Sequence, residues 1–314
     1  MQVITSYHNL PTGLRGASAA MGNFDGVHIG HRSVIERARM DGVLLGVVSF
    51  EPHPRQYFAP NSPAFRLMSP TTKAHRLEKL GVDILFDLPF DAALAGLSAE
   101  AFVRDVLAAG LGLKRVVVGS DFRFGKGREG DAAMLQSLGA TYGVEVEIAP
   151  LITADTVDIS STAIRTALAE GRPRDAAAML DHWHRISGIV IKGDQRGRDF
   201  GFPTANMALV DLHLPKLGIY AVWVDVLTGP HKGSYRGAAS LGTRPTFGEN
   251  VPNLEVFIFD FDGDLYGTEL SVALVDYIRP ELKFDGIEQL IAQMNDDCAQ
   301  IAKILDAEPK RAAP

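Results

Sequence analysis

The strongest constraint on this chain is a change of pattern near its middle. Short apolar runs at residues 18–21, 44–50, 83–88 and 115–119 are separated by helix-period stretches, among them 32–40 and 100–109. Parallel strands need a crossover to return to the same edge, so this alternation predicts a parallel sheet with helices on both faces. After Gly171 and Pro173 a short Ala-rich helix at 175–180 leads into something different. Segments 186–192, 219–226, 235–241, 254–261 and 270–278 are strand-length, β-branched or aromatic, and bounded by Gly, Pro or Asp. They predict a small antiparallel barrel. Ile287, Leu290, Ile291, Met294, Cys298, Ile301, Ile304 and Leu305 keep helical spacing, so a final helix packs on that barrel. The expectation is an α/β domain over residues 1–183 and an antiparallel β-barrel domain with a terminal helix over 184–314, with the boundary near residues 182–184.

A chain of 314 residues with 46% hydrophobic content can build two cores. Its formal charge of -7, from 38 acidic and 31 basic residues, argues against a nucleic-acid binder, because phosphate-backbone affinity rests on clustered Lys and Arg. Cys298 is the single cysteine, which excludes an internal disulfide and fits a reducing cytoplasm; it reads as a buried small apolar residue. Residues 1–13 do not read as a secretory signal, and the apolar run at 43–50 is too short to span a bilayer. No membrane association is expected, and nothing in the pattern specifies an oligomeric state.

The first candidate site follows the strand at 18–21: Gly22, Asn23, Phe24, Asp25, Gly26, Val27, His28, Ile29, Gly30, His31, Arg32. His28 and His31 project from one face of a starting helix, and Gly30 leaves its backbone open to a phosphate. A helix start attracts anions, and two imidazoles over a polyphosphate can stabilise charge developing on the α-phosphate. A zinc pair lacks a third ligand at metal spacing; two ordinary surface histidines are the plain alternative. A second anion signature is Ser160, Ser161, Thr162, Ala163, Ile164, Arg165, where hydroxyl residues cap a helix carrying Arg165 in its first turn. Loops near the start and the end of an α/β domain meet at the carboxyl edge of its sheet, where such folds bind nucleotides. Between them, Asp121, Phe122, Phe124 and Asp131 lie in a glycine-rich loop. That loop suits a flat, polar-edged ligand, and equally a lid with its Phe side chains in the core.

In the second half, Gly193, Gly197 and Gly201 give a loop whose amides can wrap a phosphate. Pro203 fixes the chain before Thr204 and Asn206, neutral oxygen ligands of the kind Mg²⁺ accepts when phosphates and water complete its shell; a simple turn is the alternative. Strand alternation over 254–261 puts Glu255 on one face with Phe257, Phe259 and Phe261. A carboxylate so placed suits a base accepting a proton from a substrate hydroxyl, unless it reaches solvent at the barrel mouth. Asp260, Asp262 and Asp264 read as a hairpin turn, since a calcium loop would need its bidentate Glu elsewhere.

These motifs carry a resemblance. Residues 22–32, 49–55, 118–131 and 159–165 closely resemble the FMN adenylyltransferase half of the bacterial bifunctional riboflavin kinase/FAD synthetase family, with coverage of nearly all of residues 15–180. Residues 188–206, 218–221, 242–247, 254–261 and 278–281 resemble its riboflavin kinase domain, over about 184–306. The resemblance implies a Rossmann-like nucleotidyltransferase fold and a kinase-type barrel. It implies ATP at Gly22, Asn23, Phe24, Asp25, His28, Gly30, His31, Ser160, Ser161, Thr162 and Arg165, and flavin at Asp121, Phe122, Phe124 and Asp131. In the barrel it implies ATP at Gly193, Gly197, Gly201, Thr204 and Asn206, Mg²⁺ at Thr204 and Asn206, flavin at Glu255 and Arg279, and Glu255 as base. Ala163 and Lys192 depart from the family pattern, where many members carry Arg and His. The implied activity is phosphorylation of riboflavin to FMN followed by adenylylation of FMN to FAD, with riboflavin, FMN, FAD and ATP as small-molecule partners. Two rivals are a nucleotidyltransferase for another phosphorylated metabolite, against which the barrel speaks, and a flavin-binding regulator that has lost catalysis.

Overall fold

The computed structural model of the chain describes residues 1–150, 152–154, 157–193, 200–244 and 251–308. Gly197 and residues 245–247 lie outside the described residues. Contacts divide the chain into two compact units, Met1–Pro63 with Pro70–Ser160, and Ala64–Ser69 with Ser161–Pro314.

The first unit is built on a six-stranded parallel sheet. From one edge its strands are Gln2–Ile4, Ile84–Pro89, Leu45–Glu51, Ser18–Met21, Arg115–Gly119 and Glu145–Ala149. Alternate residues explain why both faces are covered. Ala19, Met21, Val48, Ile84, Phe86, Val116 and Val118 enter one core, while Ala20, Val47, Leu85 and Val117 are buried on the other face. Chain order runs outward from Ser18–Met21 through the next two strands, then crosses to Arg115–Gly119 on its other side. The sheet therefore switches direction between Ser18–Met21 and Arg115–Gly119, and a crevice opens outside the carboxyl ends of those two strands. The edge strand Gln2–Ile4 is a finding beyond the sequence pattern, as is the π-helical winding of Phe102–Gly110 within the predicted helix at 100–109.

The second unit is a six-stranded antiparallel sheet in the order His184–Ile189, Glu269–Arg279, Gly218–Val226, Gly233–Arg244, Val251–Ile258 and Thr204–Ala208. It curls until Ile191 bridges to Asn206, with the Ile191 N–H donating to the Asn206 carbonyl at 2.9 Å. Period-two alternation sorts the side chains. Tyr220, Val222, Val224, Leu254, Val256, Leu270, Val272 and Leu274 fill the barrel. Ala221, Ala273 and Val275 face outward and are covered by Ile301 and Leu305 of the terminal helix Ile287–Ala307 and by Trp183. Helices Ser161–Ala169 and Pro173–Leu180 pack in this unit, their Ile164, Ala167, Leu168, Ala176 and Leu180 closing over Leu67.

Two differences from the sequence reading bear on function. Residues 204–208 form a strand rather than part of a loop, so Thr204 and Asn206 share a face by the strand period. The strand carrying Glu255 ends at Ile258, and Asp260 follows with φ of 54°. The alternation expected to reach Phe261 stops there, and Phe261 packs against the barrel core and the Tyr235 ring instead.

Candidate functional site

In the first unit both candidate loops leave the strands that flank the sheet's switch point. The turn after Met21 is strained: buried Phe24 and Val27 take φ of 52° and 43°. A β-branched residue there costs about 1–3 kcal/mol and persists only where surrounding packing over-determines it. The turn delivers His28 as the N-cap of helix Ile29–Arg37, its Nδ1 accepting the His31 N–H at 3.3 Å. A neutral His28 therefore carries its proton on Nε2. The two imidazoles stack with centroids 3.6 Å apart, and Phe24 packs on His31 at 5.1 Å. Burial first, and the neighbouring His28 second, hold the His31 pKa well below its ordinary 6.5, so His31 is neutral at pH 7. Among the described residues its Nδ1 is buried with no hydrogen-bond partner. A Cβ on Gly30 would lie 3.1 Å from the His28 ring and 3.9 Å from the Ile159 carbonyl, so the chain entering Ser160 comes close to this helix start.

Ser161 opens helix Ser161–Ala169 in the second unit, with Thr162 exposed. Arg165 donates from Nε to the Phe65 carbonyl at 2.6 Å and lies 5.3 Å over the Phe65 ring. In the loop after Gly119, Phe122 and Phe124 stack at 5.9 Å; Phe124 is a core residue and Phe122 is half-buried against that core. Asp131 caps helix Ala132–Tyr142, accepting the Met134 N–H at 2.8 Å. The Asp121 carboxylate lies against Gly119, where a Cβ would meet it at 2.9 Å.

Sequence reasoning missed two features of this edge. Lys73, on helix Pro70–Lys79, is buried and donates to Ser49 Oγ at 2.7 Å and to Asp87 at 3.1 Å, while Ser49 donates to the Asn23 carbonyl at 3.5 Å. The available signal was a lysine in line with Leu77 and Leu80 on an apolar stripe. Tyr57, Phe58 and Phe90 form an edge-packed aromatic group that Phe50 joins to Phe102, and Phe58 is 68% exposed.

In the second unit the register carries the site. Asn206 stands directly opposite Glu255, and Thr204 opposite Phe257; Ser240 faces Glu255 from the other side. Opposed residues share a face with Cβ atoms about 5 Å apart, so Thr204, Asn206 and Glu255 are gathered on the surface away from the barrel core. Asn206 is buried; its Nδ2 points at the Thr204 carbonyl, 3.3 Å, and hydroxyl, 3.5 Å. Phe202 packs edge-on against Phe257 at 5.1 Å. Gly193 lies on the Asn206 amide so closely that a Cβ would sit 2.6 Å from its Cγ and Nδ2, and Gly201 turns at φ of 81° before Phe202. Arg279 forms a forked pair with buried Asp297 of the terminal helix, at 2.6 Å from Nη2, and donates from Nη1 to the Pro280 carbonyl at 2.9 Å. Its guanidinium thus has a structural partner. Asn253, which stands in no motif recognisable from sequence, donates to Asn206 Oδ1 at 3.1 Å. Among the described residues no three His, Cys, Asp or Glu side chains gather as a metal-ligand group, and no helix is long and apolar enough to cross a membrane.

Comparison with known proteins follows the same division. The FAD synthetase family model matches residues 11–163, and the riboflavin kinase model matches residues 180–305. The bifunctional riboflavin kinase/FMN adenylyltransferase of Pseudomonas fluorescens is 40% identical over 304 residues, covering 95% of this chain and 96% of the relative. That of Escherichia coli K12 is 40% identical over 302 residues, with 95% and 96% coverage. A crystal structure described as a macrolide-efflux protein from Streptococcus pneumoniae superposes with a TM-score of 0.83 at 31% identity, covering 96% of this chain and 98% of that one. With both family models matched in order and near-complete relatives aligned end to end, the chain belongs to the bifunctional riboflavin kinase/FMN adenylyltransferase family.

Proposed function

We propose that the chain makes FAD from riboflavin in two ATP-dependent steps at two sites, with residues 184–314 as the kinase domain and residues 1–183 as the adenylyltransferase domain. The kinase transfers the γ-phosphoryl group of ATP to the 5'-hydroxyl of riboflavin, giving FMN and ADP. The adenylyltransferase joins AMP from a second ATP to the FMN phosphate, giving FAD and pyrophosphate. The observation that carries this reading is the register that sets Glu255 opposite Asn206. It brings a proton acceptor and neutral oxygen ligands to one face of the barrel.

In the kinase site Glu255 accepts the proton of the attacking hydroxyl, and Arg279 is assigned a supporting contact to the flavin. Thr204 and Asn206 fit a hard cation: both offer neutral oxygens, and Asn206 is buried and oriented by its neighbours. They would hold Mg²⁺, which supplies charge neutralisation on the phosphates of ATP. Gly193 and Gly201 let the loop backbone approach those phosphates.

In the adenylyltransferase site Gly22, Asn23, Phe24, Asp25 and Gly30 shape the helix start that receives the triphosphate. Ser160, Ser161, Thr162 and Arg165 contribute from the second signature. His28 offers Nε2–H to developing phosphate charge, and neutral His31 becomes a stronger donor once polyphosphate charge raises its proton affinity. Asp121, Phe122, Phe124 and Asp131 form the flavin side, with Phe122 the more accessible ring. Catalysis rests on positioning and electrostatics without a covalent enzyme intermediate. A single cysteine and a need for ATP fit a reducing, nucleotide-rich cytoplasm.

The test is to incubate the purified chain with riboflavin, ATP and Mg²⁺ and separate the flavins by chromatography. FMN and FAD are expected from the unaltered chain. Glu255→Ala is expected to stop FMN formation while still converting supplied FMN to FAD. Loss of both reactions in a folded Glu255→Ala protein contradicts separate sites.

A further inference from the structure

Asn253 lies two residues before Glu255 on the same strand, opposite Ala208 on one side and Gly242 on the other. By the strand period it shares the face that carries Asn206 and Glu255. It is 2% exposed and Asn206 is 4% exposed. Two amides buried together are tolerated only where their polar ends are paired. Asn206 turns its Nδ2 to the Thr204 carbonyl and hydroxyl, at 3.3 and 3.5 Å. A peptide carbonyl only accepts, so that end of Asn206 is the nitrogen and its Oδ1 faces Asn253. Asn253 answers with Nδ2, donating at 3.1 Å. Among the described residues its own Oδ1 is then left buried with no hydrogen-bond partner.

As a packing residue Asn253 is a poor choice, since leucine fills a similar volume without stranding an acceptor. We propose that Asn253 is a further binding and positioning residue of the kinase site, with a hydrated divalent cation bound to nucleotide as its ligand. Its Nδ2–H fixes the Asn206 amide with oxygen available to the cation. Its stranded Oδ1 accepts from water held by that cation, which keeps several waters when bound to proteins. The backbone at Gly193 closes over the same Asn206 amide, so Asn206 is held on two sides. Outer partners of this kind orient the residues that touch a metal, and removing them weakens binding. The inference rests on the kinase reading above.

Binding of Mn²⁺·ADP to the full chain, followed by electron paramagnetic resonance, separates the cases. Thr204→Ala identifies the component that belongs to the barrel. Asn253→Leu is expected to weaken that component on the order of 10- to 100-fold, with a melting temperature unchanged or raised and with adenylylation of supplied FMN retained. Asn253→Asp, which keeps an acceptor but loses the Nδ2–H donor to Asn206, is expected to recover only part of the binding. Adding Asn253→Leu to Asn206→Ala is expected to cause a smaller loss than Asn253→Leu causes alone, because part of its role passes through Asn206. Wild-type binding in Asn253→Leu, a loss that adds fully to that of Asn206→Ala, or a loss matched by a lower melting temperature each overturns the proposal. If the unaltered chain makes no FMN and Thr204→Ala changes no component, the kinase reading fails and takes this inference with it. If the unaltered chain makes FMN and Asn253→Leu changes nothing, only this inference fails.

Discussion

His184 shows how strongly single groups are governed by their surroundings here. It is buried at the start of the first barrel strand, and burial first, then nearby His213 and His182, pull its pKa from 6.5 to about 3. Below pH 6.5 the unfolded imidazole binds a proton that the folded one refuses, so stability falls as pH drops through 6.5 and goes on falling until about 3. The slope from this one group is about 1.4 kcal/mol per pH unit. Urea unfolding at pH 6 and pH 5 should show that His184→Gln removes about this much of the pH dependence; an unchanged slope would mean that another group titrates. Lys73 and Asp87 make the opposite case, a buried pair at 3.1 Å with side chains only 7% and 12% exposed. Lys73→Met strands the carboxylate and should cost about 3–5 kcal/mol by denaturant unfolding, with a Lys73→Met, Asp87→Leu double variant recovering most of it. Candidate residues such as His28, His31, Thr204 and Glu255 could be singled out because each stands in a distinctive local string. Lys73 and Asn253 were not, because their roles arise from partners brought in by tertiary structure, 14 to 47 positions away in sequence.

Among the elements, the strand Thr204–Ala208 matters most to the proposed kinase site. As a loop, the stretch would leave Thr204 and Asn206 to point independently; as a strand paired with Val251–Ile258 it fixes both beside Glu255. Five residues after Pro203 with Thr204 as their one β-branched or aromatic member carry little strand signal, and cross-strand pairing supplied what local propensity did not. Long elements with complete periods, such as Gly218–Val226 and Ile287–Ala307, were legible almost to their ends. The three-residue edge strand Gln2–Ile4 was too short to show a period. Gly193 provides the element-level test. A methyl there would lie 2.6–2.7 Å from the Asn206 side chain, and overpacking of this kind costs typically about 1–3 kcal/mol. Gly193→Ala should therefore lower riboflavin phosphorylation by roughly tenfold or more, measured by FMN release, and leave adenylylation of supplied FMN intact.

At the scale of the whole molecule, two architectures that solve different packing problems share one chain. The parallel sheet is covered on both faces and concentrates its loops at a switch point, a place suited to a nucleotide. The curled antiparallel sheet keeps one face for its own core, and part of the other carries the proposed kinase site. Both architectures were readable from the change of hydrophobic pattern near residue 171, because each imposes its own period over many residues. The packing of helices Ser161–Ala169 and Pro173–Leu180 with the barrel unit was not, since an amphipathic helix does not say which neighbour its apolar stripe will meet. Two sites on one chain imply that neither needs the other's chemistry, and a mixture of disabled chains tests this directly. Glu255→Ala and the His28→Ala, His31→Ala double variant are combined in equal amounts with riboflavin, ATP and Mg²⁺, and FAD is measured by chromatography. The account predicts that neither variant alone makes FAD from riboflavin, that the histidine variant accumulates FMN, and that the mixture makes FAD. A mixture that accumulates FMN without forming FAD, although Glu255→Ala still adenylylates supplied FMN, would contradict it.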